Sequence, residues 1–203
     1  MENYKNYIEQ QMNIALNLKQ KVCTDVAWRD LISEVSLKCI EAYQTGGRVF
    51  CAGNGGSAAD AQHIAAEFVS RFYFDRPGLP AEALTVNTST LTAIGNDYAY
   101  ERIFARQIEA NAKAGDVFFA ISTSGNSGNI LAAIESAKAK GVMVVGFTGE
   151  TGGKMGSVCD YCFKVPSRDT PRIQEIHILT AHLICAIWKK AYLKKPKFNL
   201  SPF

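Results

Sequence analysis

Three short apolar runs, each closed by a glycine- or serine-rich loop, restrict this chain more than anything else in it. Arg48-Val49-Phe50-Cys51-Ala52, Val117 to Ser122 and Val142 to Phe147 lack the alternation of a half-exposed strand. Strands of that kind are covered on both faces, which is the setting of a parallel sheet with helices above and below. Ala81 to Val86 and Tyr161 to Val165 read as two more strands. Helical spacing fills the intervals: Tyr4 to Val22, Trp28 to Tyr43, a helix ending near Arg71, Thr88 to Ile94, Tyr98 to Ala112, a helix ending at Lys140, and one from Pro171 to about Tyr192. Gly95-Asn96-Asp97 is expected to interrupt the fourth and fifth of these, and Gly149 to Gly156 to form a loop.

The expected architecture is α/β: one doubly wound domain over residues 1–203, with a five-stranded parallel sheet of flavodoxin-like order and helices on both faces. Residues 1–45 supply two extra N-terminal helices, 46–193 the α/β core and 194–203 a tail. Ligands of such sheets bind at the carboxyl ends of the strands, where strand order reverses. Strands one and three flank that point, so the loops that follow them should share one crevice.

The first of these loops is Gly53-Asn54-Gly55-Gly56-Ser57, leading into Ala-rich sequence of high helix propensity. A strand, a glycine turn and a helix N-terminus together favour an anion, through free N–H groups and the helix dipole. On the same helix His63 and Glu67 are spaced i, i+4 and project from one face. The second loop, Ser122-Thr123-Ser124-Gly125-Asn126-Ser127, has four hydroxyl side chains in six positions after a wholly apolar strand. That reads as a phosphate site, although serine and asparagine also serve as plain helix caps. Gly53-x-Gly55-x-x-Ala58 fits a loose dinucleotide fingerprint, but Leu84-Thr85-Val86-Asn87 lacks the acidic residue a ribose needs, which argues against NAD. In the last helix Gln174 and His182 lie roughly 80° apart around the axis and are expected to reach one site, whereas His177, about 140° from His182, should face elsewhere.

Composition narrows the function classes. A net charge of +3 is too small to mark a nucleic-acid binder, and Lys189, Lys190, Lys194, Lys195 and Lys197 read as a solvated helix end. Met1 to Lys5 opens no signal peptide and no apolar run is long enough for a bilayer, so no membrane association is expected and the location is cytoplasmic. The six cysteines should then be reduced thiols. Cys159-Asp160-Tyr161-Cys162 has CxxC spacing, without the second pair of a zinc finger or the helix of a thioredoxin-like site.

Gly-Asn-Gly-Gly-Ser, His-x3-Glu, Gly-Asn-Asp, Ser-Thr-Ser-Gly-Asn-Ser and Arg-Ile-Gln-Glu-x-His-x4-His, in this order, resemble the bacterial phosphoheptose isomerases. These are the sedoheptulose 7-phosphate isomerases of the sugar isomerase (SIS) domain superfamily, and the similarity runs from about Arg48 to Trp188. The resemblance implies an acid/base pair, Glu67 and His182, which moves a proton between C1 and C2 of a ketose phosphate through an enediol(ate). It implies D-glycero-D-manno-heptose 7-phosphate as product, at the entry to heptose synthesis for envelope polysaccharide. A zinc ion, one per subunit, would be held by His63, Glu67, Gln174 and His182, and a glutamine oxygen is a weak enough ligand to leave it exchangeable. Asn54, Gly55, Gly56, Ser57, Asn96, Asp97 and Gln174 match substrate contacts, and Ser122, Thr123, Ser124 and Ser127 match the phosphate grip. Arg71 is assigned to phosphate or to an interface ion pair, and Asp169 receives no role. The resemblance also implies a homotetramer with active sites at subunit interfaces. Its relatives include a non-catalytic adaptor, the DnaA initiator-associating protein, and sugar-phosphate sensors. The presence of Glu67 and His182, and the lack of a DNA-reading segment, favour the enzyme.

Overall fold

The computed structural model describes residues 4–73 and 75–194. Most of the expected tail, with Lys195 and Lys197, lies outside these residues, as do the side chains of Lys189, Lys190 and Lys194. Helices α1 (Tyr4–Thr24) and α2 (Val26–Gln44) precede the sheet; then come β1 (Val49–Ala52), α3 (Gly56–Val69), β2 (Ala81–Ala83) and α4 (Thr88–Asp97). A 3-10 turn (Tyr100–Arg102) leads to α5 (Ala105–Asn111), β3 (Val117–Ile121), α6 (Gly128–Ala139) and β4 (Met143–Thr148). The chain closes with α7 (Met155–Val158), β5 (Tyr161–Lys164) and α8 (Thr170–Lys194).

All pairings are parallel and the strand order is β2-β1-β3-β4-β5, so the order reverses between β1 and β3 as expected. Every residue of β1 and of β3 is buried. Successive side chains alternate between two cores. Val49, Cys51, Phe119, Val145, Phe147 and Phe163 pack under α2, α3 and α8, whereas Phe50, Ala52, Phe118, Ala120 and Val144 pack under α5 and α6. Fully burying each such phenylalanine contributes about 1.5–3 kcal/mol. Coverage of both faces is therefore what the unbroken apolar runs report.

Three boundaries differ from the sequence expectation. β2 stops at Ala83 rather than Val86: Leu84 N–H still donates to the Cys51 carbonyl, but Val86 is exposed and the Asn87 side chain already caps α4 by accepting from Thr90 N–H. α4 runs through Gly95-Asn96-Asp97 instead of ending there, because one glycine costs a helix only about 1 kcal/mol. The single helix expected from Tyr98 becomes an extended Ala99, the 3-10 turn and the shorter α5. The glycine-rich segment after β4 also closes into the brief α7.

Candidate active site

The loop after β1 is shaped by two glycines. A Cβ on Gly53 would fall 2.4 Å from the Ser57 carbonyl oxygen, and Gly55 has φ +56°, so the strand turns into α3 within three residues. Asn54, at the tip, exchanges two amide hydrogen bonds with Asn129 of α6: Asn54 Nδ2 donates to Asn129 Oδ1 at 2.9 Å, and Asn129 Nδ2 donates back to Asn54 Oδ1 at 2.8 Å. The Tyr100 hydroxyl also donates to Asn54 Oδ1, at 3.1 Å. Asn129 is buried and stitches the two glycine-bearing loops together across the reversal point. Sequence reasoning missed it, although its place directly after Ser127-Gly128 was a usable signal. Beside this pair lies a cavity of about 400 Å³ lined by Gly53, Asn54, Gly55, Gly95, Tyr100 and Phe104, among others. Asn96 and Asp97 follow Gly95 at the end of α4, exposed, with Asn96 Nδ2 donating to Asp97 Oδ1 at 2.8 Å.

In the second loop the Ser122 and Ser127 hydroxyls meet at 2.8 Å, and Ser124 Oγ accepts from Asn126 N–H at 3.1 Å. Ser127 is the N-cap residue of α6 yet makes no capping hydrogen bond with its side chain. Its hydroxyl is turned toward Ser122, and the plain-cap alternative does not apply to it. Gly125 has φ +67°, and a Cβ there would fall 2.1 Å from the Gly152 carbonyl oxygen. Thr123 and Ser124 border a second cavity of about 470 Å³, with Glu150, Arg168 and Thr170 on its other side.

α3 and α8 lie side by side and run in the same direction, with Gln174 against Gly56 at one end and His182 against His63 further along. His63 Nε2 is 3.0 Å from Glu67 Oε1 and 3.3 Å from His182 Nε2. One ligand atom from each of His63, Glu67 and His182 lies within 4.8 Å of the other two, which makes the three a group able to hold a metal ion. Phe72 stacks on the His182 ring at 5.8 Å. Partial burial, then the neighbouring His63, lower the His182 pKa against the pull of Glu67. His63 and Glu67, on one face of α3 as their spacing implied, thus meet His182.

Gln174 is placed differently. A Cβ on Gly56 would fall 2.4 Å from Gln174 Nε2, so the amide lies on the first turn of α3. Eight residues of helix rise about 12 Å, and within one chain Gln174 and His182 therefore stand at different points along α3. The angle around the helix was favourable; the distance along it was not. Arg71 stands exposed beyond the end of α3, with no ion pair among the described residues. Asp169 precedes α8 and lies 3.9 Å from the Arg172 guanidinium. His177 faces away, as expected: it is buried against the Thr148 carbonyl at 3.1 Å, and burial pushes its pKa down to about 4. Asp60, one turn before His63, went unnoticed in the sequence. Its Oδ2 is shielded with no hydrogen-bond partner among the described residues, and burial raises its pKa to about 6. A carboxylate inside so apolar a helix was the available sign.

The loops after β1 and β3 border separate cavities, and the His63, Glu67 and His182 cluster lies further along α3; comparison with known proteins gives this arrangement a class. The SIS domain family matches residues 17–149. Phosphoheptose isomerase of Aneurinibacillus thermoaerophilus is 58% identical over 189 residues, covering 93% of this chain and 96% of the relative. Phosphoheptose isomerase 2 of Campylobacter jejuni is 57% identical over 187 residues, covering 92% and 93%. The solved phosphoheptose isomerase of Francisella tularensis superposes with a TM-score of 0.89 at 32% identity, covering 93% of this chain and all (100%) of that one. The chain belongs to the phosphoheptose isomerases, enzymes of the SIS domain family, and acts on a heptose phosphate.

Proposed function

We propose that the enzyme interconverts sedoheptulose 7-phosphate and D-glycero-D-manno-heptose 7-phosphate by proton transfer between C1 and C2. The observation that carries this reading is the meeting of Glu67 and His182, brought together from two separate helices. Glu67 Oε1 is engaged by His63, which leaves Oε2 to take the C1 proton. His182, its pKa lowered by burial, is neutral near pH 7 and serves the substrate oxygens as acid and base in turn. Ser122, Thr123, Ser124 and Ser127 grip the phosphate at the start of α6. Asn54, Gly55, Gly56 and Ser57, with Asn96, Asp97 and Gln174, orient the hydroxyl-bearing chain, and Arg71, beyond the far end of α3, serves a phosphate or an interface ion pair.

Zinc suits the His63, Glu67 and His182 group, because nitrogen donors at about 2.0–2.1 Å from a tetrahedral ion stand about 3.3 Å apart. Bound there, the ion would supply Lewis-acid stabilisation of the enediolate charge. In an assembled homotetramer, a subunit interface is where Gln174 of one copy and the cluster of another would complete a shared site. The exposed apolar face of α1, with Tyr4, Ile8, Met12 and Leu16, supports assembly. The product would enter heptose synthesis for envelope polysaccharide, in the cytoplasm.

Incubation with sedoheptulose 7-phosphate in deuterated water tests the central step. Deuterium at C2 of an aldoheptose is the expected outcome; an aldoheptose free of label would replace proton exchange with another route.

A further inference from the structure

Two thiols that the isomerisation does not use face one another at the edge of the sheet. Cys159 follows α7, and Cys162 lies on β5 in register with Gly146 of β4. Gly146 is why they meet. A Cβ there would fall 2.8 Å from the Cys159 sulfur and 3.2 Å from the Cys162 sulfur, so the missing methyl leaves both over the same Cα. Each thiol is only partly buried. A hydrogen bond from Cys159, helped by Thr148 and Lys164, holds the Cys162 thiol below its ordinary range, while Cys159 is held above it. That division is the one between an attacking thiolate and its resolving thiol. Cys39, Cys51 and Cys185 are buried, with burial pushing their thiols up, and Cys23 is exposed at the end of α1.

We propose that Cys159 and Cys162 form a reversible dithiol–disulfide site whose oxidant is a hydroperoxide. The Cys162 thiolate attacks the peroxide, the O–O bond breaks, and Cys162 becomes a sulfenic acid as the released hydroxide or alkoxide takes up a proton. The Cys159 sulfur then attacks that sulfur, the S–S bond forms, the S–O bond breaks, and the hydroxyl leaves as water with the Cys159 proton. Two thiols have lost the two electrons that the peroxide gained, and exchange with an external dithiol returns them.

Closure of this bond reaches the serine-rich loop through one helical turn. Cys159 N–H donates to the Met155 carbonyl at 3.1 Å, Met155 N–H donates to the Gly125 carbonyl at 3.1 Å, and Lys154 N–H donates to Asn126 Oδ1 at 3.0 Å. Oxidation therefore disturbs the loop at Gly125 and Asn126, and KM rises several-fold with kcat little changed; this second effect rests on the phosphate role proposed for that loop.

The test treats the full-length protein with hydrogen peroxide and maps its thiols by mass spectrometry, with Cys23 as internal standard. The expected product is a peptide carrying Cys159 and Cys162 that is lighter by two hydrogens, resists alkylation until reduced with dithiothreitol, and forms before Cys23 is oxidised. In Cys159→Ser, dimedone should trap a sulfenic acid at Cys162. Oxidation of Cys23 while Cys159 and Cys162 still alkylate would overturn the site, as would a sulfinic product at Cys162 in place of the disulfide. A disulfide that leaves KM unchanged would remove the coupling to the loop. Ser124→Ala in the reduced protein separates the cases: if KM stays unaltered there too, the phosphate assignment has failed and the dithiol stands.

Discussion

His63 and His182 present their Nε2 atoms to each other at 3.3 Å across 119 residues of sequence. Two bare lone pairs do not face one another at that distance. Either one ring carries a proton there or a cation lies between them, and Glu67 Oε1 at 3.0 Å from His63 supplies negative charge for both arrangements.

Metal binding is the first consequence to measure. Chelated protein given zinc should take up one ion per chain and gain thermal stability by mass action. His63→Ala and His182→Ala should each lose most of that gain, as read by metal analysis and melting temperature. Equal uptake by wild type and both variants would place the ion elsewhere.

Glu67→Gln keeps the shape of the side chain and removes its basicity. Loss of general base catalysis should lower kcat by roughly 10²- to 10⁴-fold. The Michaelis constant should move much less, because the loops proposed to bind the phosphate are untouched. Steady-state rates with sedoheptulose 7-phosphate decide this, and a variant of undiminished turnover removes the carboxylate from the chemistry.

Asn129→Ala should destabilise the fold and loosen substrate binding together. It strips the half-buried Asn54 amide of one partner and leaves it the Tyr100 hydroxyl, a loss of about 0.5–1.5 kcal/mol. A double-mutant cycle with Asn54→Ala should return a coupling of about 0.5–3 kcal/mol in urea denaturation. Additive losses would mean that the pair contributes no mutual stabilisation.

The buried His177 should make stability pH-dependent on the acid side. Its folded pKa of about 4 lies below the unfolded value of 6.5, so between those values the unfolded chain binds the proton more readily. The stabilisation is complete above about pH 6.5 and is lost as pH falls toward about 4, to a total of roughly 3 kcal/mol. His177→Gln keeps a donor for the Thr148 carbonyl without a titrating ring and should flatten that limb of the urea-unfolding profile.

The strands were legible because doubly covered strands carry a continuous apolar run, and the positions of both glycine- and serine-rich loops follow from where those strands stop. The pairing of His63 with Glu67 needed only helical spacing. What escaped were relations that depend on three dimensions. Gln174 shares an angular sector with His182 but is separated from it along the helix axis. Asn129 matters through a residue 75 positions away. The continuation of α4 through Gly95 was decided by a cost too small to end a helix.

The side chains proposed to handle the proton sit on α3 and α8, two helices fixed to the same core, while the serines proposed to grip the phosphate belong to the connection after β3. On that proposal, acid–base chemistry and phosphate recognition are mounted on separate parts of the molecule. A change in the length of that connection would then alter which sugar phosphate fits and leave the spacing of Glu67 and His182 as it is.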